Sequence, residues 1–205
     1  MRHHRLLSLV LLVGGLAACG DDDNGNNDNL ETTAVDQGNA RGQALVDQAR
    51  GEFQGQPDDD VMAMSADVVA TIDAGEIAMA SFVLSRTSNS DVQDLANEII
   101  SDHQTNLTDL QAMMRNDGLA PESNAVSSTL KAEGDAALAQ LMSDSAGNLD
   151  VDYVQMQISM HQEAHVIVDN LRSYVQDSDM DNFLQDTLDT IDEHRDHAKD
   201  VLHDL

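Results

Sequence analysis

Four long stretches of this chain place apolar residues at helical spacing, and no alternating strand pattern competes with them anywhere in the sequence. The first covers about 59–87, with Val61, Val68, Val69, Ile72, Met79 and Val83 in line. The second runs to about 116, through Val92, Ala96, Ile99, Leu107, Leu110 and Met114. The third covers about 150–176, with Tyr153, Val154, Met160, Ala164, Val168, Leu171 and Val175. The fourth covers about 180–203, with Met180, Leu184, Leu188, Ile191, Ala198 and Leu202. Stop and start signals frame them. Pro57 and Asp58-Asp59-Asp60 open the first, since acidic residues favour a helix N-terminus. Ser88-Asn89-Ser90 closes it, and Ser90 with Gln93 reads as a capping box for the second. Asn116-Asp117-Gly118 ends the second.

The link Asp177-Ser178-Asp179 is too short for anything but an antiparallel return. The stretch 119–150 is long, contains Pro121 and has a shorter helical segment near 128–142. Two hairpins of long helices joined by one long connection is the plan of an all-α, ferritin-like four-helix bundle, expected over 58–205. The segment before it is different. Gly20 to Asn29 is almost entirely Asp, Asn and Gly, a composition with too little apolar surface to fold. Residues 34–57 are rich in Gln and Gly and hold at most a weak helix near 40–53, with Gly42 and Gly51 counting against it. The expectation for 19–57 is a mostly disordered tether.

Each apolar stripe is interrupted once by an ionisable residue on its inner face. Glu76 falls four after Ile72, and His103 lies between Ile99 and Leu107. His161 sits seven after Val154, and His194 three after Ile191. Glu76 and His103 lie about 12 residues from the turn between their helices, His161 and His194 about 15 from theirs. At 1.5 Å rise per residue these distances are roughly 18 to 22 Å, near mid-height of a bundle about 40 Å long, so the four groups can share one layer. A buried unpaired charge is costly, so they should meet partners. Three imidazoles and a carboxylate suit one borderline transition-metal ion, zinc, iron, copper or manganese. His165, four residues after His161, can extend the set. A metal-free hydrogen-bonded network remains the rival reading of the same layer. His161-Gln162-Glu163-Ala164-His165 is not a metalloprotease motif, because glutamate does not directly follow the first histidine. The ten methionines read as core filler.

Charge narrows the partners. With 38 acidic against 10 basic residues the formal net charge is −28, and only 2% of residues are aromatic. Nucleic acid is therefore excluded as a partner, since phosphate contacts need Lys and Arg and base stacking needs rings.

The N-terminus points to export. Met1-Arg2-His3-His4-Arg5 is a basic start, and Leu6 to Ala18 is an apolar run shorter than the ~20 residues needed to span a bilayer. Leu16-Ala17-Ala18-Cys19 resembles the bacterial lipobox. That resemblance implies removal of residues 1–18 and a lipid on Cys19, so that the membrane becomes a partner through the lipid. Cys19 is also the single cysteine, which rules out an internal disulfide and thiolate clusters. By resemblance to lipoprotein sorting signals, Gly20 rather than Asp after the cysteine favours the outer membrane, with the protein facing the periplasm or the surface.

Several short pieces carry a wider resemblance: Gly75-Glu76-Ile77-Ala78, Ser90-Asp91-Val92 leading to Ile100-Ser101-Asp102-His103, Asp152-Tyr153 leading to His161, and Ile191-Asp192-Glu193-His194 followed by Ala198-Lys199. In order and spacing these resemble the domain of unknown function 4142 family, over roughly 61–205. The resemblance implies a ferritin-like fold and an outer-membrane location more firmly than an activity. Di-iron ferritins carry Glu three residues before histidine on two helices, and here Ile100 and Ile191 stand at that spacing. This argues against a ferroxidase centre. Three roles stay open for an envelope lipoprotein of this kind: a non-enzymatic bundle that binds one metal ion or acts in envelope stress, a metal-dependent redox enzyme, and a metal-free scaffold.

Overall fold

The computed structural model describes residues 23–143 and 148–205, with side chains from residue 27 onward. The signal segment 1–18, Cys19 and the first residues of the tether lie outside the described residues. Among those described, the chain is all-helical, with six helices and no strand: α1 Asp23–Phe53, α2 Asp58–Leu84, α3 Ser90–Asn116, α4 Ala125–Ser143, α5 Leu149–Arg172 and α6 Ser178–Asp204. None of these helices is long and apolar enough to cross a membrane.

The helix ends follow local chemistry. Pro57 precedes α2 with φ −58° and ψ 151°, and three aspartates occupy the first turn, where the helix dipole favours negative charge. The cap of α3 is Asn89 and not Ser90. The Asn89 side chain accepts from the backbone N–H groups of Asp91 (2.9 Å) and Val92 (3.2 Å), while Gln93 reaches back to Thr87 O. Asparagine is as good a cap as serine, and starting one residue earlier lets its oxygen reach two free N–H groups. Gly118 adopts φ 71° after α3, and Leu119 N–H closes onto Met114 O at 2.9 Å, an ending that needs glycine. Asp177 caps α6 through the N–H groups of Asp179 and Met180, each at 2.9 Å. α5 ends at Arg172, four residues before the expected boundary.

The helices pair as α2 with α3 and α5 with α6, both antiparallel. The connection through α4 leaves α3 and α5 running in the same direction, both antiparallel to α6. Asn124 fixes the start of α4 reciprocally: its side chain accepts from Ser127 N–H at 3.0 Å, and Ser127 Oγ accepts from Asn124 N–H at 3.1 Å. The Asn124 amide also donates to Met64 O at 3.0 Å, tying the crossover to α2.

The largest departure from the sequence reading is α1. Composition predicts a disordered tether, yet Asp23–Phe53 is one helix lying along α5. Its inner face buries Ala34, Leu45, Val46, Ala49 and Phe53. Gly38, Gly42 and Gly51 cost about 1 kcal/mol each in helix propensity. Burying Leu45, Val46 and Phe53 returns about 1.5–3 kcal/mol each, so packing wins. Two of those glycines make the packing possible. A Cβ on Gly38 would lie 2.3 Å from Ser159 O, and one on Gly42 2.6 Å from Val166 Cβ. Gly42, read as a helix weakener, is thus one of two points of close approach to α5, whereas Gly51 faces open space.

The core falls into two apolar clusters. One gathers Phe53, Val61, Leu110, Ile167, Leu171 and Leu184 among others, the second Met79, Leu95, Ile99, Tyr153, Ile158 and Leu202. Between them lie the buried polar residues Asp73, Glu76, His103, His161 and His194.

Candidate metal centre

His103 of α3, His161 of α5 and His194 of α6 meet between the two apolar clusters, each 1–2% exposed. Their ring centroids are 5.8 Å (His103–His161), 5.3 Å (His103–His194) and 5.3 Å (His161–His194) apart. One ring nitrogen from each lies within 4.8 Å of the other two. These are the histidines that the sequence places in one layer, and the structure brings the three together.

Their outer hydrogen bonds set the tautomers. His161 Nδ1 is 2.9 Å from Gln157 O, a backbone carbonyl that can only accept, so Nδ1 carries the proton and Nε2 a lone pair. His194 Nε2 donates to Asp102 Oδ2 at 3.1 Å, leaving the lone pair on Nδ1. His103 Nδ1 donates to Asp73 Oδ1 at 2.7 Å, so Nε2 is the nitrogen that offers a lone pair once the ring is neutral. The Asp73 carboxylate is in turn held by the Asn106 amide at 3.2 and 3.1 Å, and Thr187 donates to Asn106 Oδ1 at 3.1 Å. The outcome is a conflict that protein atoms alone do not resolve. His161 Nε2 and His194 Nδ1 face each other at 3.3 Å with a lone pair on each. His103 Nε2 is buried with no hydrogen-bond partner. Two lone pairs converging on a His103 Nε2 that a metal can deprotonate, while the far nitrogens donate to a carbonyl and two carboxylates, is how metal-binding histidines are held.

Electrostatics act in the same sense on two of the rings. Burial pulls His161 well below the usual histidine range, reinforced by repulsion from His194 and His103. Burial also lowers His194, against the pull of Asp102. Both are therefore neutral and able to ligate near neutral pH. His103 goes the other way: burial lowers it, but the hydrogen bond and charge of Asp73, with Glu76 and Asp102, raise it overall. A cation binding there must displace a proton.

The remaining predicted ligands lie elsewhere. Glu76 is in the polar layer, 2% exposed, but its Oε1 approaches His161 Nδ1 at 3.9 Å, the nitrogen on the far edge of the ring from the shared point. Burial pushes its carboxyl up to about 7, against the pull of His103, and Oε2 has no hydrogen-bond partner. His165 is not in the cluster. Its Nδ1 pairs with Asp192 Oδ1 at 2.9 Å and its side chain is 34% exposed. Four residues advance a helix by one turn of rise and about 40° of rotation, enough to move this ring from the inner face to its edge. His197 pairs with Glu98, and His203 with Glu31.

Sequence reasoning missed the outer partners. Asp73, adjacent to Ile72, was detectable as a carboxylate one helical turn from Glu76 on a buried face. Asp102 gave no such signal, because its side chain is 44% exposed and only the register of α3 against α6 brings it to His194.

A family model described as a domain of unknown function (DUF4142) matches residues 27–201. The match takes in α1, in keeping with its packing on α5. No curated protein and no solved structure matches the chain.

Proposed function

We propose, for a chain that belongs to the domain of unknown function 4142 family, that it is a lipid-anchored envelope protein whose helical bundle holds one borderline divalent transition-metal ion. The ligands are His103 Nε2, His161 Nε2 and His194 Nδ1. The observation that carries this reading is the 3.3 Å approach of His161 Nε2 to His194 Nδ1, both fixed as lone-pair nitrogens by their outer hydrogen bonds. Bonds of about 2.0–2.1 Å to a tetrahedral ion separate two ligand nitrogens by about 3.3–3.4 Å. Three neutral imidazoles without thiolate favour zinc, copper or iron over manganese. The frame is the ferritin-like arrangement of α2, α3, α5 and α6, with α1 and α4 laid against its outside. The reversed direction within each hairpin and the shared direction of α3 and α5 support it.

The envelope location rests on the basic start, the apolar run and Leu16-Ala17-Ala18-Cys19. Labelling with a fatty-acid tracer tests it: label should enter the protein and be lost in Cys19→Ser, and label retained in that variant contradicts a lipid on Cys19. For the centre, the protein is purified without chelators and its metal content measured. One equivalent per chain is expected, lost in His103→Ala and in His161→Ala. Metal content unchanged by both substitutions refutes the assignment.

A further inference from the structure

We propose that Glu98, Asp102 and Nε2 of His194 form an outer cation position at the surface between α3 and α6, and that one borderline divalent ion occupies either this position or the buried one, with the His194 ring serving both. The outer position stands without the histidine centre, whereas the alternation rests on it. One oxygen from each carboxylate and one ring nitrogen of His194 lie within 4.8 Å of one another, close enough to share an ion. The nitrogen on that side is Nε2, 3.1 Å from Asp102 Oδ2. Glu98 and Asp102 stand one turn apart on α3, and their side chains are 40% and 44% exposed. His197, one turn after His194 on α6, holds Glu98 in place, with its Nδ1 2.5 Å from Glu98 Oε2. Two carboxylates and an imidazole are a donor set of the zinc class.

The His194 ring has an acceptor at each end. Asp102 faces Nε2, and Nδ1 is faced at 3.3 Å by His161 Nε2, whose ring keeps its own proton on Nδ1 for Gln157 O. A neutral imidazole carries one proton, so it satisfies only one of the two. With the proton on Nε2, two lone pairs meet at the inner end, and an ion there resolves the contact. With the proton on Nδ1, the ring donates to His161, and its Nε2 lone pair faces a carboxylate. An ion between those two resolves that contact instead. Each tautomer therefore calls for a cation at the end that lacks the proton. The neutral ring offers one lone pair, so the two positions exclude each other. The outer position also supplies a way in. The three clustered histidines are each 1–2% exposed. The second nitrogen of His161 meets a backbone carbonyl, and that of His103 meets the buried Asp73. Only the second nitrogen of His194 meets a carboxylate that reaches solvent.

The test is a Zn²⁺ titration of the full chain at a salt concentration that suppresses loose binding to the acidic surface, with the His194 ring followed by its ¹⁵N chemical shifts. The wild type should saturate at one Zn²⁺, with the His194 proton on Nε2. His103→Ala, which breaks the inner position, should still take up one Zn²⁺, with the proton moved to Nδ1. Binding there should be at least about a thousandfold weaker, because exposed carboxylates attract an ion weakly in water. Adding Glu98→Gln to His103→Ala should weaken it by at least about a further tenfold. No saturable Zn²⁺ site in His103→Ala, the outcome if a second proton joins the ring to both acceptors, overturns the proposal. So does unchanged affinity on adding Glu98→Gln. In the otherwise wild-type chain, Glu98→Gln should slow Zn²⁺ uptake at least about tenfold. Asp109→Asn, which removes the same charge from the exposed face of the same helix, should not. Equal uptake rates in the two variants contradict the outer position as the way in, and two tightly bound Zn²⁺ per chain contradict the alternation. Wild-type binding no tighter than that of His103→Ala, and weakened by Glu98→Gln in both, would count against the histidine centre and leave the outer position standing.

Discussion

His194 spans the polar layer, with one ring nitrogen turned to Asp102 at the surface and the other to His161 in the core. Asp102 thus fixes the tautomer of a proposed ligand. Asp102→Ala should weaken zinc binding by about 10–100-fold, the usual cost of losing such an outer partner, and leave the circular dichroism unchanged, since the removed side chain is 44% exposed. Equal zinc affinity in the variant would contradict this role. The titrating groups of the layer also predict how the metal-free protein responds to pH. Glu76 and Glu163 have folded pKa values raised to about 7 and about 8 from 4.5. The folded state binds protons that the unfolded state has already released, so stability falls as pH rises through these values. His103, also raised, acts in the same direction. His161 and His194 are lowered and act oppositely, but only below the ordinary histidine value of 6.5. The unfolding free energy of the metal-free chain, read from denaturant melts, should therefore decrease from about pH 6.5 to 8, by about a few kcal/mol at most. Glu163→Gln should flatten that slope, and an unfolding free energy rising over this range would contradict the assignment.

At the scale of elements, α1 shows what packing can do against composition. Its glycines touch α5 at Ser159 O and Val166 Cβ, where any side chain collides with backbone or with a β-branched residue. Gly42→Leu should destabilise the protein by about 1–3 kcal/mol through overpacking, read from denaturant melts, whereas Gly51→Ala, with no atom within 4 Å of the new Cβ, should be neutral or slightly stabilising. A neutral Gly42→Leu would show that α1 is not docked in this way. The helices α2, α3, α5 and α6 were legible in the sequence because each has a long apolar stripe at helical spacing. α1 was not, because part of its contact face is built from small residues. Gly38, Gly42 and Ala49 contribute close approach rather than apolar mass, and periodicity arguments count only the latter. The three histidines were legible as interruptions of stripes. The exclusion of Glu76 and His165 was not, because side-chain direction within one turn depends on the neighbouring helix and not on spacing.

For the whole molecule, the layer of polar residues divides the core, with apolar clusters above and below. Such a layer is costly unless its groups are satisfied, and a bound ion is the cheapest way to satisfy three converging ring nitrogens. Zinc at about a thousand times its dissociation constant should raise the unfolding free energy by about 4 kcal/mol, visible as a higher melting temperature in the wild type and not in His103→Ala. Melting unaffected by zinc would favour the metal-free network. On this proposal the lipid on Cys19 sets where the bundle works, and the polar layer sets what it holds. X-ray absorption on the zinc-loaded full chain tests that claim most directly. Three histidine nitrogens at about 2.0–2.1 Å are predicted in the zinc shell, reduced in His161→Ala, whereas a shell of oxygens alone would place the zinc elsewhere and contradict the assignment.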